Sequence, residues 1–513
     1  MTVRPESGRP RPAGPASGTA GMLIGSVIDA AVRSRPTHVA GTLGEESITF
    51  AELDARAEAL ADNLVALGLP AAGDEEVPLG MVAWVCQAHL DSLAALLACG
   101  RLGVVFAPVN PNYTPTELAA VLDVLRPDLV VHDAAIPVGP DWPAVTREDI
   151  AARHAPARGD DLPEPLPTDP HIAYLTSGST GTPKAVLVSH LASWLRSSPG
   201  GGTFSTGVRG AGGIMCTFPL YHYGGWHYTI EAWLSHTAIH LVAKADARLI
   251  LESITKHRAT ALYSIPAVWE RILAHPGDWD LSCLQHADTG TSPVGGGLIE
   301  SIRERCPNAS TSVLYGSTEA GRMAGLQHWE LGDHPGSVGR AAFPGVVWCD
   351  PDTGEVCFRG PTVMNGYLRN PEATAAAMRD GAYLSGDRGV MDEDGYLTLV
   401  GRTKELVRTG GEFVAPAEVE AVLREHPRVA LAGIVGLPDP TWHEIVCAVI
   451  VPNDPADPPT LAELREHLTG KLASFKHPRR LEIVDKLPLT PATGQIQRSK
   501  LRARFSEAVA PPA

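Results

Sequence analysis

Apolar residues recur at spacings of three and four in the first hundred residues, and this periodicity predicts an amphipathic helix that ends at Gly68. The apolar positions are Leu53, Ala57, Leu60, Ala61, Leu64 and Leu67. From Val77 to His132, short apolar runs alternate with helical ones, and the alternation returns between Gly213 and Val313. This pattern predicts a mostly parallel sheet with helices on its faces.

A chain of 513 residues exceeds the size at which single cores stop growing, so we expect more than one domain. The fold class is α/β. We predict a disordered tail over 1–20, a large N-terminal domain of layered α/β subdomains over 21–403, and a small mobile α+β domain over 404–513. The boundary follows from the charged segment 401–408, which precedes a compact βαβ-like stretch ending near Phe505.

Composition excludes several classes of protein. A formal charge of -16 argues against a nucleic-acid surface, which needs clustered Lys and Arg. No apolar run is long enough to span a bilayer, and residues 1–20 lack the apolar core of a signal peptide. The eight cysteines are scattered singly, which fits neither a zinc site nor a disulfide framework and favours a cytoplasmic protein.

The stretch from Thr176 to Lys184 has the composition of a phosphate-binding loop. Its glycines allow a tight turn and close approach to a ligand, while its hydroxyls and its ammonium can donate to phosphate oxygens. The glycines are Gly178 and Gly181, the hydroxyls belong to Thr176, Ser177, Ser179 and Thr180, and the ammonium is that of Lys184. It is not a Walker A loop, because Pro183 precedes the lysine and Ala185 follows it. The alternative is a solvated Ser/Thr/Gly loop.

The loop resembles the signature of the adenylate-forming superfamily, which includes acyl-CoA synthetases, peptide-synthetase adenylation domains and luciferases. Further segments resemble motifs of that family in the same order along the chain. They are 105–111, 218–225, 315–319, 354–361, 366–367, 383–387 and 401–405. The resemblance covers almost the whole chain from about residue 25.

The resemblance implies a set of nucleotide contacts. Besides the loop, the implied contacts are Gly290, Thr291, Tyr315, Gly316, Ser317 and Thr318, the last of them at the α-phosphate. Asp387 would bind the ribose, and Arg402 would contact the ribose or a phosphate. Glu319 would bind Mg²⁺ beside the phosphates, as oxygen ligands do, and Lys404 would be the hinge of the C-terminal domain. Read without the resemblance, Glu319 is a helix-start carboxylate and Asp387 a turn residue.

The pocket motif points to the chemistry of the acid. Members that activate amino acids carry an aspartate in this motif, but residues 219–222 contain no carboxylate here. An unpaired ammonium would be costly there, so we exclude α-amino acids. His222, Tyr223, Trp226 and Tyr263 predict an aromatic acyl pocket with His222 among the catalytic residues, and core packing is the alternative.

One position departs from the family. Its C-terminal motif has a catalytic lysine after glycine, whereas this chain reads Gly494-Gln495 with the surrounding residues in register. Glutamine keeps a hydrogen-bond donor but loses the charge that stabilises an anionic transition state. We therefore expect adenylation to be impaired.

The features for thioester formation are intact. Gly410 and Gly411 have no side chains to block a pantetheine tunnel, and Lys476 and Arg479 could reach CoA phosphates, although basic surface residues are the simpler interpretation.

We therefore expect an acyl-CoA ligase that uses CoA, ATP or AMP, and Mg²⁺ where adenylation operates. Its partners would be a carboxylic acid or an acyl-adenylate, the latter supplied by a separate adenylating enzyme. Two alternatives are a ligase loading a carrier-protein thiol and a non-catalytic adenylate-binding protein. We expect no nucleic-acid or membrane partner, and the sequence leaves a homodimer open.

Overall fold

The computed structural model describes residues 21–159, 162–177, 183–198, 212–402, 405–410, 412–490 and 494–506. The predicted tail over 1–20 lies outside these residues. Within them, no helix combines the length and hydrophobicity that crossing a bilayer would take.

The first part of the chain alternates strands and helices. After a short 3₁₀ turn at Ile24–Ser26, the elements are α1 (Asp29–Ser34), β1 (Val39–Leu43), β2 (Glu46–Thr49), α2 (Phe50–Ala66), β3 (Met81–Val85), α3 (Leu90–Leu102), β4 (Val105–Pro108), α4 (Pro115–Leu125), β5 (Leu129–His132), β6 (Ala144–Thr146), α5 (Arg147–Ala152), β7 (Pro170–Ser177), β8 (Pro183–Ser189) and α6 (His190–Ser197).

The middle part continues this alternation and then becomes mostly strand. Its elements are β9 (Ile214–Cys216), α7 (Tyr223–Leu234), β10 (Ile239–Leu241), α8 (Ala247–His257), β11 (Ala261–Ser264), α9 (Pro266–Leu273), β12 (His286–Gly290), α10 (Gly296–Arg305), β13 (Val313–Ser317), β14 (Gly321–Leu326), β15 (Arg340–Ala341), β16 (Val346–Cys349), β17 (Glu355–Arg359), β18 (Gly366–Tyr367), α11 (Pro371–Ala377), β19 (Met378–Arg379), β20 (Ala382–Met391) and β21 (Leu397–Arg402).

The C-terminal part forms its own small sheet. Its elements are β22 (Val407–Thr409), β23 (Glu412–Val414), α12 (Pro416–Leu423), β24 (Val429–Asp439), β25 (His443–Pro452), α13 (Leu461–Leu468), a 3₁₀ turn (Ser474–Lys476), β26 (Arg480–Ile483) and α14 (Arg498–Ser506). The predicted βαβ-like stretch corresponds to β25–α13–β26, in which β25 and β26 pair in parallel. β24 is not part of such a unit, because it pairs antiparallel with β25.

The predicted first helix is confirmed as α2. Thr49 and Glu52 form a reciprocal capping box at its start. The apolar face, which includes Leu53 and Leu64, is buried. Gly68 follows with φ of 95°, a conformation that favours glycine, so the helix ends where the sequence predicts.

Two large sheets build the N-terminal domain. One has nine strands in the order β15-β14-β13-β12-β11-β9-β10-β1-β2, and the other has seven in the order β18-β8-β7-β4-β3-β5-β6. Their central strands pair in parallel. The largest hydrophobic cluster draws residues from both sheets and from α2, α3 and α7, so these helices share one core with the two sheets.

A third sheet, β16-β17-β20-β19 with β21 on β20, completes this domain. The C-terminal sheet buries apolar residues on both faces, because alternate residues of β24 and β25 enter separate clusters. Ile434 lies in the cluster with α12 and α13, whereas Val435 lies in the cluster with α14. The predicted α/β fold of a large N-terminal and a small C-terminal domain is confirmed.

A partly buried ion pair holds the last helix, α14, against the rest of the C-terminal domain. Arg498 donates from Nη2 to both oxygens of Glu420 at 2.7 Å and from Nη1 to Glu405 at 2.8 Å. The Glu420 side chain is only 8% exposed and also accepts from the backbone N–H of Ile434. Burial raises the pKa of Glu420, and Arg498 opposes that rise.

We predict that Arg498→Ala destabilises the C-terminal domain by about 3 kcal/mol, because a buried carboxylate loses its partner. The change in the free energy of unfolding is measured by urea unfolding, with hydrogen exchange of backbone amides in the C-terminal domain as the readout. The matched control is Lys471→Ala, since Lys471 pairs with Glu425 where both side chains are well exposed. Equal, small effects of both substitutions would contradict the role of Arg498.

Candidate active site

The strands β13, β20 and β21 bring together the residues predicted at the ribose. Tyr315 donates its hydroxyl to Asp387 Oδ2 at 2.6 Å, and Arg402 Nε donates to Oδ1 at 3.2 Å. Asp387 and Arg402 are direct partners across the two strands. Burial, followed by the charge of Asp387, raises the pKa of Tyr315, so its hydroxyl stays a donor. The carboxylate is thereby fixed as a hydrogen-bond acceptor.

Glu319 lies in a corner with the lysine that ends the predicted phosphate loop. Its carboxylate accepts from the Tyr367 hydroxyl at 2.9 Å. The Lys184 ammonium lies 4.8 Å from the centre of the same tyrosine ring. Tyr367 therefore contacts both Glu319, the predicted metal ligand, and Lys184, the predicted phosphate-binding cation. The motif at 366–367 did not predict these contacts.

The phosphate loop itself is described only at its ends. Thr176 and Ser177 end β7, Lys184 is the second residue of β8, and Thr176 pairs with Lys184. The remaining predicted loop contacts, Gly178, Ser179, Thr180 and Gly181, lie outside the described residues. The same holds for Lys404 and Gly411.

A buried arginine fixes the turn that carries Thr318 and Glu319, and the sequence reasoning missed it. Arg196 donates to the carbonyls of Thr318 at 3.0 Å, Glu319 at 2.9 Å and Thr362 at 2.6 and 2.8 Å. Burial lowers the pKa of Arg196, but arginine stays charged in proteins. The sequence did contain an indication of this role. Arg196 follows Trp194 and Leu195 in the stretch that forms α6, and an arginine buried there requires partners.

Thr291 lies where the nucleotide segment meets the C-terminal domain. Its hydroxyl hydrogen bonds to the Tyr263 hydroxyl at 2.8 Å, and its carbonyl accepts from Gln495 Nε2 at 3.2 Å. The preceding Gly290 is required sterically, because a Cβ there would lie 2.0 Å from the Leu314 carbonyl oxygen. The structure thus places Gln495 against the predicted nucleotide site.

Stacked rings form a wall beside this junction. Phe218 stacks with His222 at 5.6 Å, with Tyr228 at 6.1 Å and with Tyr263 at 5.7 Å between centroids. Burial lowers the pKa of His222 to about 4, so the ring is neutral at pH 7. Its Nδ1 accepts from the Gly224 N–H at the start of α7.

The other two predicted pocket residues lie elsewhere on α7. Trp226 is fully buried and meets Phe106 edge-on at 5.4 Å, which places it in the core. Tyr223 lies under the guanidinium of Arg196 at 5.3 Å and meets Tyr174 edge-on. Tyr228 was not among the predicted residues.

Two of the predicted CoA residues, Gly410 and Arg479, contact Trp442 on the C-terminal domain. The Gly410 N–H donates to the Trp442 carbonyl at 3.0 Å, and a Cβ on Gly410 would lie 2.8 Å from the indole ring. The Arg479 guanidinium lies 3.9 Å from the centre of that ring. Lys476 is held by Glu418 at 2.5 Å.

Comparison with known proteins identifies the family. The model of the AMP-binding enzyme family matches residues 28–368, and that of the AMP-binding enzyme C-terminal domain matches residues 418–493. The chain belongs to the AMP-binding enzyme family.

Curated relatives of this AMP-binding enzyme cover nearly its whole length. It is 32% identical over 503 residues to a feruloyl-CoA synthase of Amycolatopsis sp, covering 92% of this chain and 97% of that protein. It is 32% identical over 522 residues to the indoleacetate–CoA ligase of Aromatoleum aromaticum, covering 94% and 98%. These relatives confirm the prediction that the chain is an acid–thiol ligase.

A solved relative shows the same fold. The structure of o-succinylbenzoate CoA synthetase from Bacillus subtilis with its acyl-adenylate superimposes with a TM-score of 0.84 at 23% identity, covering 93% of this chain and 98% of that one. ATP and CoA are the co-substrates of acyl-CoA ligases in the AMP-binding family, and AMP is a product. The assignment of Gln495 to the lysine position stays a prediction.

We predict that Asp387→Ala in this AMP-binding enzyme weakens AMP binding about 10- to 100-fold, because a charge-assisted hydrogen bond contributes about 1.5–3 kcal/mol. Titration calorimetry with AMP measures the loss. Tyr315→Phe should cost less, because the carboxylate remains, and the exposed Asp394→Ala serves as control. Unchanged affinity in Asp387→Ala would remove Asp387 from the site.

Proposed function

We propose that this AMP-binding enzyme joins a bulky, largely apolar aromatic acid to CoA through an acyl-AMP intermediate. One observation carries the proposal, namely that the aromatic wall and the nucleotide segment meet at Thr291. Its hydroxyl contacts Tyr263 of the wall, and its carbonyl contacts Gln495. An acid stacked on this wall would present its carboxylate beside the nucleotide. The names of the two relatives, a feruloyl-CoA synthase and an indoleacetate–CoA ligase, support an aromatic acid and CoA.

In the first step, a carboxylate oxygen attacks the α-phosphorus of ATP, and pyrophosphate leaves with the electrons of the broken P–O bond. Asp387 would hold the ribose, Thr318 would donate to the α-phosphate, and Lys184 would contact the outer phosphates. Glu319 would hold Mg²⁺, which neutralises phosphate charge. Its carboxylate fits this role because one hydrogen bond from Tyr367 leaves further lone pairs.

In the second step, the CoA thiolate attacks the acyl carbonyl carbon, and AMP leaves. His222 lies at the border of the aromatic wall, and burial keeps its imidazole neutral there. Lys404 would be the hinge about which the C-terminal domain turns between the two steps.

We propose that Gln495 replaces the family lysine and slows the first step. The amide donates to the Thr291 carbonyl and so reaches the nucleotide segment, but it carries no charge. Loss of one electrostatic partner at a transition state costs about 10²–10³ in rate. Acyl-adenylate made by a separate adenylating enzyme would then be the effective substrate.

We predict weak ATP–pyrophosphate exchange in the wild type and a gain of about 10- to 1,000-fold in Gln495→Lys, because the ammonium restores that charge. Both proteins should convert a synthetic acyl-adenylate and CoA to the thioester. The assays are isotope exchange with magnesium-ATP and thioester release followed by chromatography.

The matched control is Ser499→Lys, which adds the same charge at an exposed position of α14. Its exchange should equal that of the wild type. Robust wild-type exchange with free acid would show that another residue supplies the charge, and this account of Gln495 would then be wrong.

We further propose that Trp442 and Arg479 bind the nucleotide end of CoA. The indole is 38% exposed, a base can stack on such a ring, and the guanidinium above it can meet a phosphate. Trp442→Ala should raise the KM for CoA about 10-fold and leave AMP affinity unchanged. Steady-state thioesterification and AMP calorimetry test both statements.

Trp329→Ala is the control for Trp442, since Trp329 is 61% exposed. The same assays with a phosphopantetheinyl carrier protein separate the acceptors. A carrier used faster than CoA, with no effect of Trp442→Ala on CoA use, would favour the carrier-loading alternative.

A further inference from the structure

Charged side chains adjoin the aromatic wall. Asp288 on β12 is the direct partner of Tyr263 on β11, and partners in neighbouring parallel strands project from the same face of the sheet. Tyr263 stacks on Tyr228 at 5.3 Å. Asp288 therefore lies beside the stacked rings that we assign to the acid.

Two further charged residues interact electrostatically with these groups. Burial raises the pKa of Asp288, Tyr228 and Tyr263, and the charge of Arg322 on β14 opposes each rise. The charge of Glu231 on α7 contributes less than burial to the raised pKa of Asp288 and Tyr228. Arg322 is the cross-strand partner of Gly316, which lies next to the turn that carries Thr318 and Glu319. Glu231 Oε2 lies 3.8 Å from Nε2 of His227, one turn earlier on α7. Asp288 therefore lies beside the rings, and the charges of Arg322 and Glu231 act on this surface.

Asp288 is partly accessible, yet it is enclosed by protein. Desolvation is the largest influence on its carboxyl group and raises its pKa to about 7. His222 and Tyr228 show the same combination of remaining accessible surface and strong desolvation, as expected for side chains that line an enclosed pocket. The Ser312 N–H holds Asp288 Oδ1 at 2.7 Å. A carboxyl group held in this way keeps lone pairs for a ligand donor.

The chemistry of this wall selects among acids. A saturated acyl chain would cover the Asp288 carboxyl group with methylene groups, and a polar group buried without a new partner destabilises a complex. A planar acid stacks on the rings, and a hydroxyl or ring N–H on it can donate to the carboxyl group. The same desolvation strengthens that hydrogen bond.

We propose that Asp288 is a specificity-determining residue, which accepts a hydrogen bond from a hydroxyl or ring N–H of the aromatic acid at a point remote from the reacting carboxylate. The substrate class is therefore hydroxylated or N–H heteroaromatic carboxylic acids, and fatty acids are disfavoured. This inference rests on the proposed function, because it requires the acid to stack on the Phe218–Tyr228–Tyr263 wall.

The test uses non-hydrolysable acyl-sulfamoyl adenosines, which mimic the acyl-adenylate and do not require the adenylation step. Two matched pairs differ only in the donor: 4-hydroxycinnamoyl against 4-methylcinnamoyl, and indole-3-acetyl against benzothiophene-3-acetyl. Calorimetry on the full chain measures each affinity, with AMP as the reference. At least one donor-bearing ligand should bind about 10- to 100-fold more tightly than its partner.

Asp288→Asn keeps an acceptor for Ser312 and loses the carboxylate, and Asp288→Ala removes the acceptor. Both should reduce the preference to within about threefold while leaving AMP affinity unchanged. The exposed Asp280→Asn is the matched control and should keep the preference. A preference that persists in both Asp288 variants would overturn the inference.

Two results separate this inference from the proposed function. If acyl analogues bind more tightly than AMP but the wild type does not distinguish the members of either pair, the inference is wrong and the proposed function stands. If no aromatic acyl analogue binds more tightly than AMP, the proposed aromatic acid is wrong, and the inference is wrong with it.

Discussion

The guanidinium of Arg196 is the interaction on which the geometry of the site depends. It lies in the core at the end of α6 and donates to three backbone carbonyls, those of Thr318, Glu319 and Thr362. Thr318 and Glu319 are adjacent, whereas Thr362 belongs to a later segment of the chain. Because a buried guanidinium without acceptors would be strongly destabilising, the turn after β13 has to remain where it satisfies this charge.

The consequences of this constraint extend along the nucleotide site. Because the Thr318–Glu319 backbone is held, the Glu319 side chain starts from a fixed position. The hydrogen bond from the Tyr367 hydroxyl then orients its carboxylate. A side chain on Gly321 would meet Arg196 at about 3 Å, so the residue that follows this turn is glycine. The arginine thus holds the backbone of Thr318 and Glu319, the residues that we propose for phosphate and Mg²⁺ binding, and it joins α6 to the turn after β13 and to the segment before β18.

The contact that Gln495 makes with the N-terminal domain is weaker than the ion pairs of its own domain. Gln495 reaches the N-terminal domain through one neutral hydrogen bond to Thr291. The segment that carries Gln495 is instead held within its own domain by Arg498, Glu420 and Glu405. A loop held in this way could move away from the large domain without unfolding, which would suit the two half-reactions that we propose.

The sequence by itself determined the elements and the order of the motifs. The three- and four-residue spacing of Leu53 to Leu64 and the freedom of Gly68 fixed α2, because these are local properties of the backbone. The motifs also placed Tyr315 and Asp387 in one site, and the structure joins them through a hydrogen bond. Only the tertiary structure decided that Trp226 faces the core, that Lys476 is held by Glu418, and that Arg196 and Asp288 lie at the site. Periodicity tells which face of an element is apolar, but the partner of a side chain depends on segments brought together from distant parts of the chain. A buried charge is recognised only when those partners are known.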